Sequence, residues 1–388
     1  MFTCETNYSP EFKESTMTRT LTTRSVLAAS VALALSVTAC SSSRTTEAPA
    51  ADGSARASDT LVGIAMPTKS LERWNKDGAH LEGLLKKAGY KTTLQYADNK
   101  PDQQITQVQN MANQGAKILV VAAIDGKVLA PALAAAKAKG AKVIAYDRLI
   151  NGTPDVDFYA TFDNYKVGQL QGQFIKEKIG AEKVNLEPFA GSPDDNNAKF
   201  FFSGAWDVLS PLAKSGQITV PSGKAPATND QWTSIGVLNW ASDTAQSEMQ
   251  NRLNSFYTGG KKVDVVLSPN DSLALGIVQA LEGAGYRPGA GYPIVTGQDA
   301  DKANVINMLA GKQSMTVWKD TRKLGDQVAK MVDQVVKGQT VETNDTKTYN
   351  NGVKVVPTYL LAPVVVTKDT VKTQLVDSGF YSTSDLGL

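Results

Sequence analysis

Leu61 to Ala97 reads LVGIAMPTKSLERWNKDGAHLEGLLKKAGYKTTLQYA. LVGIAM is a short apolar run of strand type. SLERWNKDGAHLEGLLKKAG then places Leu71, Trp74, Leu81, Leu84, Leu85 and Ala88 near helical spacing, with Gly89 as a stop. KTTLQYA is a strand again. The same alternation continues outward. PDQQITQVQNMANQG is a helix with Pro101 at its start and an apolar stripe of Ile105, Val108 and Met111. KILVVAA is a strand, KVLAPALAAAKAKG a helix and KVIAYD a strand. Strands that alternate with helices in this way form a parallel sheet covered on both faces.

The pattern restarts after a linking strand, DFYATF. YKVGQLQGQFIKEKIG is a helix. KVNLEPFAG, VDVVLSP and YPIVTGQD are strands with helices between them, among them SLALGIVQALEGAG. The fold class is therefore α/β, with two units of similar design and no internal repeat at the residue level. A further helix, DTRKLGDQVAKMVDQVVKG, and one extended segment, VKVVPTYLLAPVVV, close the chain.

The length of 388 residues suits two domains, and the net charge of +2 leaves no basic stripe for nucleic acid. The N-terminal region carries another message. MTRTLTTRS holds Arg19 and Arg24 and no acid; an apolar run, VLAASVALALSV, follows and then VTAC, ending at Cys40. This is the layout of a lipoprotein signal, with Cys40 as the lipidated first residue of the mature chain. Glu5, Glu11 and Glu14 do not suit a signal, so translation is expected to start at Met17, with residues 1–16 outside it, 17–39 the signal peptide and 40–59 a small, polar tether. With Cys4 upstream and Cys40 lipidated, the mature domain has no thiol for a disulfide, a nucleophile or a metal. No cofactor, metal or catalytic residue is assigned.

In open α/β sheets, ligands sit outside the carboxyl ends of the strands. Here those ends carry Lys69, Asp147 and Arg148, Asp195 and Asn197, Asn270 and Asp271, Asp299 and Lys319. Asp and Asn at such places often cap helices. Capping does not call for Arg or Lys. Planar carboxylates, carboxamides and guanidinium groups make paired hydrogen bonds in a fixed plane, which suits the adjacent hydroxyls of a sugar. Asp147, Asp195 and Asp299 against Lys69, Arg73, Arg148 and Lys319 is close to balanced, so the ligand is expected to be neutral. Trp74 and Trp240 are the candidates for stacking on its C–H face. Trp206 and Trp318 read as core or hinge residues, and Trp232 has no evident role.

Taken in order, AMPTKSLERWNKDG, LVVAAIDGKVL, VIAYDRLI, YATFDNYKVGQLQG, GSPDDNNAKFFFSGA, SPNDSLALGI, TGQDAD and KTYNNGVKVVPTYLL resemble the xylose-binding and multiple-sugar-binding (ChvE-type) proteins, solute receptors of ABC monosaccharide importers. The resemblance runs from about Leu61 to the C-terminus. It implies a type I periplasmic-binding-protein fold, two doubly wound parallel-sheet domains joined by a three-segment hinge and closing on one sugar. It implies sugar contacts at Arg73, Trp74, Asp147, Arg148, Asp195, Asn197, Trp240, Asn270, Asp299 and Lys319, and at Lys69 as in members that also take hexoses. It places the crossings near Thr161–Asn164, Val317–Lys319 and Thr348–Val353. One lobe is then 60–162 plus 319–349 and the other 163–318 plus 350–388. The implied partners are a monosaccharide and the membrane subunits of a permease; Cys40 and its tether depart from the family, often free in the periplasm, and add the membrane as a partner, and the chain is expected to be a monomer. SGKAPATNDQWTSIGV is longer than the family's usual segment and bears on Trp240.

Three rivals stand beside this reading. Asp147 and Asp299 could form a glycosidase pair, although the sequence shows no nucleophile elbow, phosphate loop or zinc spacing and its one histidine, His80, falls on a predicted helix. A sugar-responsive repressor would need a DNA-binding helix pair where the signal stands. A receptor serving a membrane kinase would use the same site as a transport receptor.

Overall fold

The computed structural model describes residues 57–388. The expected start at Met17, the signal peptide and Cys40 lie outside the described residues. Of the expected tether, Ala57–Asp59 forms a short 3-10 turn that closes with a bond from Thr60 N to Ala57 O. Among the described residues no helix is long and apolar enough to cross a membrane.

The first lobe is built on β1 (Leu61–Met66), α1 (Glu72–Lys87), β2 (Lys91–Tyr96), α2 (Pro101–Asn113), β3 (Ile118–Val121), α3 (Ala130–Ala138), β4 (Lys142–Tyr146) and β5 (Phe158–Phe162). Its strands alternate between two cores, as a sheet buried on both faces requires. Ile118 and Val120 join Val62, Ile64 and Met66 under α1, where Leu81 and Leu85 pack. Leu119 and Val121 face Val108, Met111, Leu129 and Leu133 of the α2–α3 side.

The second lobe follows with α4 (Asn164–Ile179), β6 (Val184–Pro188), α5 (Asn196–Lys214), β7 (Ile218–Thr219), α6 (Ser242–Phe256), β8 (Val265–Leu267), α7 (Asp271–Gly283), β9 (Ile294–Val295), α8 (Lys302–Leu309) and β10 (Met315–Trp318). Helices α4 and α5 meet backbone to backbone. A Cβ on Gly168 would lie 1.9 Å from Phe201 O, and one on Gly204 2.1 Å from Tyr165 O. Only glycine permits that approach. The chain then returns through α9 (Thr321–Val336), β11 (Thr358–Leu361) and β12 (Val364–Thr367).

The sheet orders are β11-β5-β4-β3-β1-β2 and β7-β6-β8-β9, both parallel, with β10 and β12 as an antiparallel pair. Both parallel sheets reverse their winding next to their first strand, β1 in one and β6 in the other. The reversal opens a crevice at the carboxyl ends, where ligands lie in open α/β sheets. Helix α9 packs on the first lobe, its Leu324, Val328 and Met331 sharing the core with β1.

The C-terminal segment departs from expectation. It is two strands in two lobes, and the third crossing is Ala362–Pro363 rather than 348–353. β11 pairs in parallel with β5, Thr358 opposite Tyr159, while β12 pairs with β10. Residues 350–361 therefore belong with the first lobe. The reason is local: β5 offers an open edge, Asn351 Nδ2 donates to Ile150 O and Thr153 O, and Asn344 brackets Leu360 through both its amide ends. Pro363 has no N–H to continue a ladder and divides the run. The other two crossings are Asp163, between β5 and α4, and Lys319–Asp320, between β10 and α9.

Candidate functional site

Every candidate contact residue except Lys69 lines one cavity between the lobes, together with Leu71, Phe201 and Gln298. The space between the lining atoms, counted with the solvent it opens to, is about 290 Å³. Lys69 lies outside. Its turn is held by Asn75 Nδ2 donating to its carbonyl at 2.7 Å, and its ammonium sits 5.2 Å from the centre of the Tyr96 ring. Leu71 faces the cavity instead. With Lys69 removed, three acids (Asp147, Asp195, Asp299) face three bases (Arg73, Arg148, Lys319), a neutral balance.

The first lobe contributes Arg73 and Trp74 from the first turn of α1, and Asp147 and Arg148 from the end of β4. Asp147 has a left-handed backbone, φ 59°, a strained state for a residue with a Cβ. Three donors hold it there: Tyr159 Oη (2.6 Å), Thr161 Oγ1 (2.8 Å) and Asn197 Nδ2 (2.7 Å) all bond its carbonyl. The turn aims its carboxylate at Arg73 Nη2, 3.0 Å away. Arg73 also reaches Asp77 Oδ2 through Nε at 3.1 Å and, across the cleft, Asp299 Oδ1 through Nη1 at 3.2 Å. Asp299 has φ 97°, so both lobes present a carboxylate from a left-handed residue after a strand. Lys319, 2% exposed, lies 3.1 Å from Asp299 and 3.8 Å from Asp147.

The second lobe contributes Asp195 and Asn197 at the start of α5. Asp195 caps that helix, accepting from Asn197 N at 2.9 Å, and its other oxygen is 2.9 Å from Arg148 Nε. Asn270 caps α7 by accepting from Leu273 N. Capping and facing the cleft are thus done by the same side chains. Asp271, at the strand end beside Asn270, is different. It is fully buried behind the cavity and accepts from Gln313, Thr316 and the Asp301 N–H, so its part is structural. Asn197 spends its carboxamide on closure, donating to Asp147 O and accepting from Tyr159 Oη at 3.1 Å.

The aromatic walls are two. Trp74 carries the guanidinium groups of Arg73 and Arg148 at 4.4 and 5.1 Å from its ring centre. Trp240 sits against Phe201 and over Gly191, whose missing Cβ leaves the space the indole fills. The Nε1 atoms of both indoles are buried without a partner. Trp232 and Trp206 pack in the second-lobe core, where Trp206 stacks on Phe202. Trp318 meets Phe380 edge to face beside the second crossing. His80 is partly exposed and bonds Asp326 of α9. Phe201 and Gln298 went unnamed from sequence, and Leu71 was read only as part of an apolar helical stripe; only the position of Gln298 beside Asp299 signalled it.

Burial by itself would lower the Arg73 pKa, but Asp147, Asp77 and Asp299 outweigh it and raise it well above the ordinary value. Burial would raise Asp147, but Arg73, Lys319 and Arg148 hold it below the ordinary carboxylate value. Asp195 is raised by burial, against the pull of Arg148. Asp77 lies beneath the site at 0% exposure, between Arg73 and the Tyr146 hydroxyl. Burial, opposed by Arg73, lifts its pKa from 3.8 to about 6. A carboxyl raised in the folded state binds its proton more tightly there than in the unfolded chain. Its contribution is full below the unfolded value and is lost as pH rises through about 6. Between pH 4 and 7 the protein should therefore lose about 3 kcal/mol more stability than the Asp77→Asn variant, from a shift of about two units. Denaturant titrations across that range check this; parallel curves for the two proteins would contradict it.

Residues 62–340 match the family model for the periplasmic binding protein domain. The chain is 48% identical over 330 residues to the multiple sugar-binding periplasmic receptor ChvE of Rhizobium radiobacter, covering 84% of this chain and 92% of that protein. The chain belongs to the periplasmic binding protein family, in its ChvE-type branch. It is 37% identical over 332 residues to the D-xylose-binding periplasmic protein of Escherichia coli, covering 86% and 94% of the two chains. A solute binding protein of an ABC transporter from Clostridium phytofermentans, with β-D-glucose bound, has a TM-score of 0.80 and 49% identity over 84% of this chain and all of that one. The architecture is the type I periplasmic-binding-protein fold. Family members of this kind are binding proteins, not enzymes. The site agrees: Asp147 and Asp299 share one guanidinium and one ammonium, ion pairs rather than the separated acid and base of a glycosidase.

Proposed function

We propose that this chain is an extracytoplasmic receptor for one neutral monosaccharide, an aldopentose or aldohexose such as xylose, glucose or galactose. It hands the sugar to an ABC importer when its lobes close. The observation that supports this most is the charge-balanced cleft, ringed by planar hydrogen-bonding groups from both lobes and flanked by two indoles. The glucose-bound relative and the xylose- and multiple-sugar-binding relatives point the same way. In this reading Arg73, Asp147, Arg148, Asp195, Asn197, Asn270, Asp299 and Lys319 hold the sugar, and Trp74 and Trp240 cover its C–H faces. A ligand held by both lobes favours the closed state, which the permease reads. Cys40 anchors the receptor to the membrane outside the cytoplasm, and the tether lets it reach the permease.

Calorimetric titration with xylose, glucose, galactose and arabinose tests the reading. At least one should bind, and Asn197→Ala should weaken that sugar about a hundredfold. The variant loses two bonds across the lobes, each worth about 1–1.5 kcal/mol. Absence of heat with every aldose would overturn the function, and an unchanged affinity in the variant would overturn the part given to Asn197.

A further inference from the structure

Gln298 stands between β9 and Asp299 and lines the cavity. Its backbone is fixed. Its carbonyl accepts from Asp271 N at 2.9 Å, and the residue bridges to Val317. Its side chain is 2% exposed, yet Oε1 is buried with no hydrogen-bond partner. Other buried carboxamides behave differently. Gln313 donates to Asp271 and accepts from Asn304; Gln104 donates to Ala122 O and accepts from Ile124 N. Its chain neighbour Asp299 is already committed to Arg73 and Lys319, and Asp271, whose N–H meets the Gln298 carbonyl, to Gln313 and Thr316.

A buried amide oxygen without a donor is destabilising, because it has given up its water and gained no partner. A fold that accepts this at the wall of a binding cleft gains it back only if the ligand brings the donor. The other cavity groups without a hydrogen-bond partner, Nε1 of Trp74, Nε1 of Trp240 and Nε of Arg148, the last ion-paired with Asp195, can only donate. Gln298 thus adds an unpaired acceptor to a rim whose carboxylates are engaged by cations. A sugar hydroxyl can donate to Oε1 while accepting elsewhere.

We propose that Gln298 is a further ligand-contacting residue, whose Oε1 accepts a hydrogen bond from a single hydroxyl of the bound monosaccharide and so helps to set which hydroxyl pattern the site admits. This rests on the reading of the cleft as a sugar site. A site that pairs its buried polar atom with a ligand hydroxyl rejects the analogue lacking it.

The test is a matrix of affinities. The wild-type protein and Gln298→Leu are titrated with an aldose that the wild type binds and with its monodeoxy derivatives. Gln298→Met, which keeps the side-chain length, replaces the leucine variant if that one fails to fold. The expected result is a loss of at least tenfold for the parent sugar in the variant. One deoxy sugar alone should bind wild type and variant equally, because the hydroxyl it lacks is the one Gln298 met. A uniform loss over the whole series, or no loss, would overturn the proposal while leaving the sugar reading intact. Failure of the wild type to bind any aldose would overturn both.

Discussion

Replacing Arg73 with methionine should weaken monosaccharide binding by two to three orders of magnitude. The guanidinium is 6% exposed and lies within 3.2 Å of carboxylate oxygens from Asp77, Asp147 and Asp299. Asp299 belongs to the opposite lobe, so this one cation ties the lobes together at the site. Without it, Lys319 is left as the ion-pair partner of Asp147 and Asp299, with Arg148 adding only its longer-range pull on Asp147. Leaving a buried charge unpaired costs about 3–5 kcal/mol, which is about 10²- to 10³-fold in affinity. The cost falls on the closed form, since opening lets water reach the carboxylates. Calorimetry should show the loss, and small-angle scattering should show a more open ensemble at a given sugar concentration. A dissociation constant within threefold of wild type would refute the role given to Arg73.

Gly191→Ala should expel the Trp240 indole from its place and weaken sugar binding ten- to a hundredfold. A Cβ on Gly191 would stand 2.0 Å from Trp240 Cη2 and 2.4 Å from Cζ2, far inside the roughly 3.5–4.0 Å of an ordinary carbon contact. The ring has little freedom to retreat. Phe201 lies edge-on to it, Ser272 Oγ donates to its carbonyl, and its backbone and that of Asn239 are both left-handed. Forcing an extra methyl into such packing typically costs about 1–3 kcal/mol. Tryptophan emission should change, and affinity should fall. In a Trp240→Ala background the same glycine substitution should cost nearly nothing, because the clash has been removed. An additive loss in the double variant would show that Gly191 acts through something other than the indole.

Much of the architecture was legible. Parallel strands covered on both faces appear as apolar runs, and LVGIAM, KILVV and KVIAY became β1, β3 and β4. The helices α1 and α2 start and stop within two residues of their expected ends, because Pro101, Gly89 and Gly115 impose local backbone limits that need no tertiary help. The C-terminal run VKVVPTYLLAPVVV was less legible. Pro363 marks a break in it, but which sheet each half joins depends on the open edges of β5 and β10, distant in sequence. The two-residue strand β7 is too short for any periodicity to reveal, whereas β9, equally short, was visible within YPIVTGQD. The site was visible as residue types at strand ends. Lys69 and Leu71 show the limit: two residues apart, they exchange roles because the turn before α1 points one outward and the other into the cleft.

The sequence by itself determined the alternation of strands and helices, the polar character of the strand ends and the family. These follow from backbone preference and hydrophobic period over a few residues. Only the tertiary structure decided which groups meet: Arg73 with Asp299, Asn197 with the Asp147 carbonyl, Asp77 with Tyr146, and Gln298 Oε1 with no protein partner. A hydrogen bond or ion pair forms only within a few tenths of an ångström of its preferred distance. That placement comes from the packing of two lobes on three crossing segments, which no local stretch of chain encodes.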